Sequence, residues 1–274
     1  MKIKKTVLYV LPLLMFLISC SEYPKILKSP DMKVKLEWAE KLYKKGDYTR
    51  AQPLFEQLAS YYRGTSVAED MQYFNAYCYY YMKDYDMATY LFKRFCDEYS
   101  GSKRAEECNY MFCLTEYLNS LPVELDQTDS YKCVEDISLF IGLYPDSRYI
   151  PSCNSLLDKL RKKLEQKAYN AAYLFYQTED YKAAAICFTN LIKDYPETEF
   201  KPDAEFYIIK SYYTFARNSV ETKQVERYRT MIKAYNEYRA DLSGSNAKEA
   251  ARMSEEAQKQ IDKLENKTAE VPKK

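Results

Sequence analysis

The 274-residue sequence contains no histidine. That removes Ser-His and Cys-His nucleophile pairs and the commonest nitrogen ligand for metals. Glycine is scarce, at five residues, and no GxGxxG or GxxxxGKS/T run occurs, so no glycine-rich loop can cradle a phosphate. No two cysteines form a CxxC pair, which with histidine missing excludes zinc sites of the usual type. Nothing after residue 20 is apolar for long enough to span a bilayer as a helix. The formal charge is +1, which gives no basic footprint for nucleic acid. These absences point away from an enzyme and imply no catalytic residue, metal or cofactor.

What is present is a chain 47% hydrophobic and 30% charged, enough for one extended domain or a repeat array. Ten prolines are few and thirty tyrosines are many. Scarce Gly and Pro with abundant Ala, Leu, Lys and Glu predict an all-α fold with short turns. Tyrosine in this quantity suits helix surfaces that pack and still offer a polar tip.

The N-terminus carries its own signal. Lys2, Lys4 and Lys5 precede an apolar stretch from Val7 to Ile18, interrupted by Pro12. That is signal-peptide length and too short to span. It closes on Leu17-Ile18-Ser19-Cys20, which resembles the lipobox of a bacterial lipoprotein. On this reading cleavage falls between Ser19 and Cys20, and Cys20 is lipidated, holding the protein on a membrane surface without crossing it. Ser21 after the cysteine fits export to the outer membrane. Setting the three leader lysines aside leaves the remainder at about −2. Seven further cysteines remain: Cys78, Cys96, Cys108, Cys113, Cys133, Cys153 and Cys187. Most sit among apolar residues at helical spacing and read as small buried thiols, with one disulfide left open.

An internal repeat organises the rest. Gly46-Asp47-Tyr48, Lys83-Asp84-Tyr85 and Glu179-Asp180-Tyr181 are each followed at fixed offsets by an aromatic residue (Phe55, Phe92, Phe188) and a bulky apolar one (Leu58, Phe95, Leu191). Each reaches a further tyrosine (Tyr62, Tyr99, Tyr195) and has an alanine nine residues upstream of its first tyrosine (Ala39, Ala76, Ala172). Looser copies follow Asp129 (Cys133, Ile137, Phe140, Tyr144) and surround Tyr228 (Met231, Tyr235, Tyr238). The pattern resembles the tetratricopeptide repeat, a helix, a tight turn and a second helix. The alanine lets paired helices approach, the aromatic and aliphatic residues fill the gap, and the Asp starts the second helix.

The fold predicted is therefore a superhelix of about five such repeats. Leu156, Leu157, Leu160, Leu164 and Ala168 share helical spacing and predict one long connecting helix in the middle. The expected organisation is a leader at 1–19, a lipidated tether at 20–32, the array at 33–243, and a charged helix with a flexible tail at 244–274. The first helix of each pair faces a groove in this fold. The register places Tyr43, Tyr80 and Tyr176 at one equivalent position, with Tyr73 and Tyr77 on the face of Tyr80, and Tyr169 and Tyr173 on that of Tyr176. Two roles stand open for these rings, helix packing or peptide binding in the groove. Trp38 reads as core.

One family combines these features. Phe140 to Tyr149 (FIGLYPDSRY), Leu157 to Arg161, Ala172 to Tyr176 and Lys193-Asp194-Tyr195-Pro196 resemble the third and fourth repeats of the BamD family, lipoproteins of the β-barrel assembly machine. The resemblance covers roughly residues 25 to 240. It departs at Glu98 to Ser102, which lacks the family's proline, and at Glu179-Asp180, in place of a basic-glycine turn. It implies a periplasm-facing, outer-membrane-anchored scaffold without enzymatic activity. Ala168 to Tyr238, with Tyr169, Tyr173 and Tyr176, would dock on the barrel-forming BamA subunit, beside the machine's other lipoproteins. Val34 to Ser100, with Tyr43, Tyr73, Tyr77 and Tyr80, would meet unfolded outer-membrane proteins. A pilotin or a cell-wall-synthesis scaffold is the alternative; a glycan-binding lipoprotein fits less well, because such proteins are longer.

Overall fold

A computed structural model of the chain describes residues 22–269. The lipobox, with Ser19 and Cys20, lies outside the described residues. Those residues form twelve helices and no strand. In order they are α1 Tyr23–Leu27, α2 Met32–Lys44, α3 Tyr48–Tyr61, α4 Ser66–Met82, α5 Tyr85–Glu98, α6 Ala105–Asn119, α7 Thr128–Leu143, α8 Ile150–Gln177, α9 Tyr181–Asp194, α10 Lys201–Arg217, α11 Glu221–Tyr238 and α12 Gly244–Ala269. They pack in successive pairs, the arrangement of a tetratricopeptide-type array. At 28 residues, α8 is the long middle helix that the leucine spacing predicts.

The turn signature works as its chemistry requires. The side chains of Asp47, Asp84 and Asp180 accept hydrogen bonds from the backbone N–H of Arg50 (3.3 Å), Met87 (3.2 Å) and Ala183 (3.1 Å), each satisfying a donor the first turn leaves open. The preceding residues all adopt the left-handed conformation: Gly46 at φ 77°, Lys83 at 62° and Glu179 at 66°. Two of the three therefore reach it at a steric cost glycine does not bear. Ala39, Ala76, Ala172, Phe55, Phe92 and Phe188 are all wholly inaccessible. Burying each of those rings contributes about 1.5–3 kcal/mol against leaving it in water.

The helices form two compact units. The first comprises the described residues to Leu121 together with Thr128–Leu157. In it α2 to α7 pack each on the next. Within the segment expected to be a tether, Tyr23–Leu27 is helical, with Pro24 in its first turn. Ile26 and Leu27 pack against the first repeat's core, and the Tyr23 hydroxyl donates to the Arg50 carbonyl at 2.8 Å. The second unit holds Pro122–Gln127 and Asp158 onward. There α9, α10, α11 and α12 pack in succession, and α12 also touches α10. Its core joins Ala172, Phe188, Ile209, Met231 and Ala257.

Candidate functional site

Tyr43, Tyr73, Tyr77 and Tyr80 of the first unit are buried or half-buried, whereas Tyr61, Tyr81, Tyr90 and Tyr131 are exposed. Tyr77 is 8% exposed. Its ring meets Phe92 edge-on at 5.1 Å and its hydroxyl donates to Glu107. Tyr73 donates to the same carboxylate at 2.8 Å, beneath the Arg104 guanidinium at 4.4 Å. Burial, and the negative charge of Glu107, hold both phenols well above the ordinary tyrosine pKa. Tyr43 sits among Tyr48, Phe55, Phe74 and Tyr81, with ring centroids 5.1–6.2 Å away. Tyr80 is half-buried beside Tyr77 and Tyr85. Tyr77 therefore packs against its neighbours, one of the two roles that its spacing leaves open. The α6 carboxylate that holds it could not be placed from the sequence, since Glu107 lies thirty residues on.

In the second unit Tyr169 stacks on Phe200 at 4.8 Å and meets Phe188 at 5.6 Å. Tyr173 and Tyr176 both meet Tyr207, at 5.2 and 5.0 Å. Tyr176 differs from the other two because it also lines a cavity of about 680 Å³, together with Tyr181, Tyr213 and Tyr228. Sequence reasoning reached Tyr176 and missed the rest of this wall. The signal was there in the helical spacing of Lys210, Tyr213, Thr214 and Arg217, matched by Glu249, Arg252, Met253 and Glu256.

None of the seven cysteines in the described residues is in a disulfide, and burial raises the pKa values of Cys78, Cys96, Cys108, Cys113, Cys153 and Cys187, the first two to about 12. Such thiols are poor nucleophiles at neutral pH. Among the described residues no group of three or more Cys, Asp or Glu could hold a metal ion. Two buried carboxyls stand out. Glu205 is 1% exposed, with its Oε2 lacking a donor among the described residues. Burial and then the Asp241 charge push it up to about 7, against the pull of Lys201 at 3.7 Å. Glu116 is raised for the same reasons, by burial and Asp136.

Helices in successive packed pairs define a class: an all-helical repeat protein of the tetratricopeptide type. The comparison with protein families narrows it. The family model described as YfiO, outer membrane lipoprotein, matches residues 30–226. The chain belongs to this family, the BamD family of outer-membrane lipoproteins. No curated protein matches it. Among the described residues no helix is long and apolar enough to cross a membrane.

Proposed function

We propose that the protein is a lipid-anchored, non-enzymatic scaffold of the β-barrel assembly machinery, docking on a BamA-type barrel subunit beside the machine's other lipoproteins. The observation that carries this is the family match across most of the repeat array. Periplasmic exposure and the part played in inserting outer-membrane proteins belong to the same reading. Lipid on Cys20 would lie three residues before Tyr23, which is fixed to the first repeat. Three extended residues reach about 10 Å, so the first unit would sit close against the membrane. Docking is assigned to the half from Ala168 to Tyr238, and contact with unfolded barrel chains to Val34–Ser100, through Tyr80 and the accessible edges of Tyr43 and Tyr73.

Crosslinking in intact cells from exposed positions such as Ile186 and Val220, followed by identification of the adducts, tests the reading. A barrel-forming assembly subunit as the main adduct supports it. A secretin or a cell-wall synthase in that place would instead favour a pilotin or a cell-wall scaffold.

A further inference from the structure

The cavity of the second unit has a construction that docking alone does not explain. Its two long walls are the faces of α10 and α12. On α10 the lining residues Lys210, Tyr213, Thr214 and Arg217 recur at one helical face; on α12, Glu249, Arg252, Met253, Glu256 and Gln260 do the same. Lys210 pairs with Glu249 at 3.1 Å and the Tyr213 hydroxyl donates to Glu256 at 2.6 Å, so the helices run parallel along the trough. At 1.5 Å per residue the walls extend for about 10 and about 16 Å. A length of that order matches three to five residues of extended chain at about 3.3 Å each. The volume of about 680 Å³ lies in the ordinary range for binding clefts, ~300–1,000 Å³.

The charges are unevenly shared. Four cations line the cavity, Lys210, Arg217, Arg252 and Lys259, against two carboxylates, Glu249 and Glu256. Both carboxylates are engaged, Glu249 by Lys210 and Glu256 by Tyr213 and by Arg252 at 3.6 Å. Arg217 and Lys259 have no carboxylate partner among the described residues, and the helix register puts them at the same end of the trough. Gln224 and Gln260 add amides there. Tyr176 and Tyr181, whose hydroxyls make no hydrogen bond among the described residues, supply ring surface alongside.

We propose that this trough binds an extended segment of a partner protein carrying at least two acidic side chains, which pair with Arg217 and Lys259 while the segment's apolar or aromatic residues lie against Tyr176, Tyr181 and Met253. A small inorganic anion would engage one end only and leave the ring-lined length unused. The inference does not rest on the identity of the docking subunit proposed above.

The test uses the full mature chain and a fluorescent ten-residue peptide with Asp-Tyr-Asp at its centre, its ends acetylated and amidated. Anisotropy titration at low salt should show binding. Replacing both peptide aspartates by asparagine, or introducing Arg217→Ala with Lys259→Ala, should each weaken it about tenfold or more. The control Lys44→Ala with Lys45→Ala, which removes as much charge from the first unit, should leave affinity unchanged. Helical circular dichroism and the melting temperature of each variant establish that it is folded, and Lys259→Ala alone, on an exposed residue, serves if the double variant is not. Equal affinity for the Asp and Asn peptides overturns the proposal. So does equal loss in the control variant, or binding of phosphatidylglycerol vesicles that the double variant abolishes while peptide binding is untouched.

Discussion

The two units are built from the same repeat and differ in how particular tyrosines are partnered. In the first, the hydroxyls of Tyr23, Tyr73 and Tyr77 each donate to a protein acceptor, and Tyr77 is buried under neighbouring rings. In the second, Tyr176 and Tyr181 leave their hydroxyls unbonded among the described residues, at the wall of a wide charged trough. A first-unit cavity beside α3 to α5 measures about 160 Å³. Six of the seven described thiols also fall in the first unit, with Cys187 alone in the second. One repeat chemistry therefore has two outcomes: Glu107 and Glu256 take the hydroxyls of Tyr73, Tyr77 and Tyr213, while Tyr176 and Tyr181 line a trough with more cations than carboxylates.

The units should be equal in their cores, and that can be broken most forcefully. Phe92→Ala and Phe188→Ala remove equivalent, wholly buried rings. Each should cost about 3–5 kcal/mol of unfolding free energy in urea titrations. A loss confined to one of them would mean that the repeat register is energetically real in one unit alone.

Both units also hold a raised carboxyl, and pH should expose it. Glu205 has a folded pKa of about 7 against an ordinary 4.5, so between those values the folded state binds more protons than the unfolded one. Its stabilising contribution is complete below pH ~4.5 and disappears as pH rises through ~7, an effect of up to about 3 kcal/mol. Glu116 acts in the same direction. Urea titrations from pH 5 to 8 should show falling stability, and Glu205→Gln should flatten the second unit's share. Stability that climbs over this range would contradict the assignment.

The hydroxyl contrast has a smaller signature. Tyr77→Phe leaves the ring and removes one donor to half-buried Glu107, costing about 1–2 kcal/mol. Tyr176→Phe removes a hydroxyl without a partner and should stay within about 0.5 kcal/mol, read by the same denaturation curves. Similar costs at both positions would erase the difference between the units.

Much of this was legible from residue spacing. Alanine, aromatic and Asp-Tyr offsets gave the helix pairs, because those positions answer to local sterics and to the next helix alone. The leucines of α8 likewise announced a single long helix. What spacing could not supply was pairing across helices. Glu107 meets Tyr73 and Tyr77 from thirty or more positions away, and Glu256 meets Tyr213 from forty-three. The docking of Tyr23–Leu27 escaped notice because five residues beside two prolines carry no periodic signal; only the packing of Ile26 and Leu27 holds them.

The turns provide the finest comparison, since the same backbone conformation is met by different residues. Gly46 holds φ 77° without strain, whereas Lys83 and Glu179 hold 62° and 66° against a Cβ clash. A Cβ at Gly46 would meet nothing nearer than Tyr48 Cε2 at 4.0 Å, so Gly46→Ala isolates the backbone cost. That variant should lose about 1 kcal/mol, while Lys83→Gly and Glu179→Gly should each gain about 0.5–1 kcal/mol, somewhat reduced by glycine's greater freedom in the unfolded chain. Thermal melts of the three variants decide it. Stabilisation at Lys83 but not at Glu179 would show that the second unit draws on the Glu179 side chain, and that its departure from a glycine turn is more than a tolerated strain.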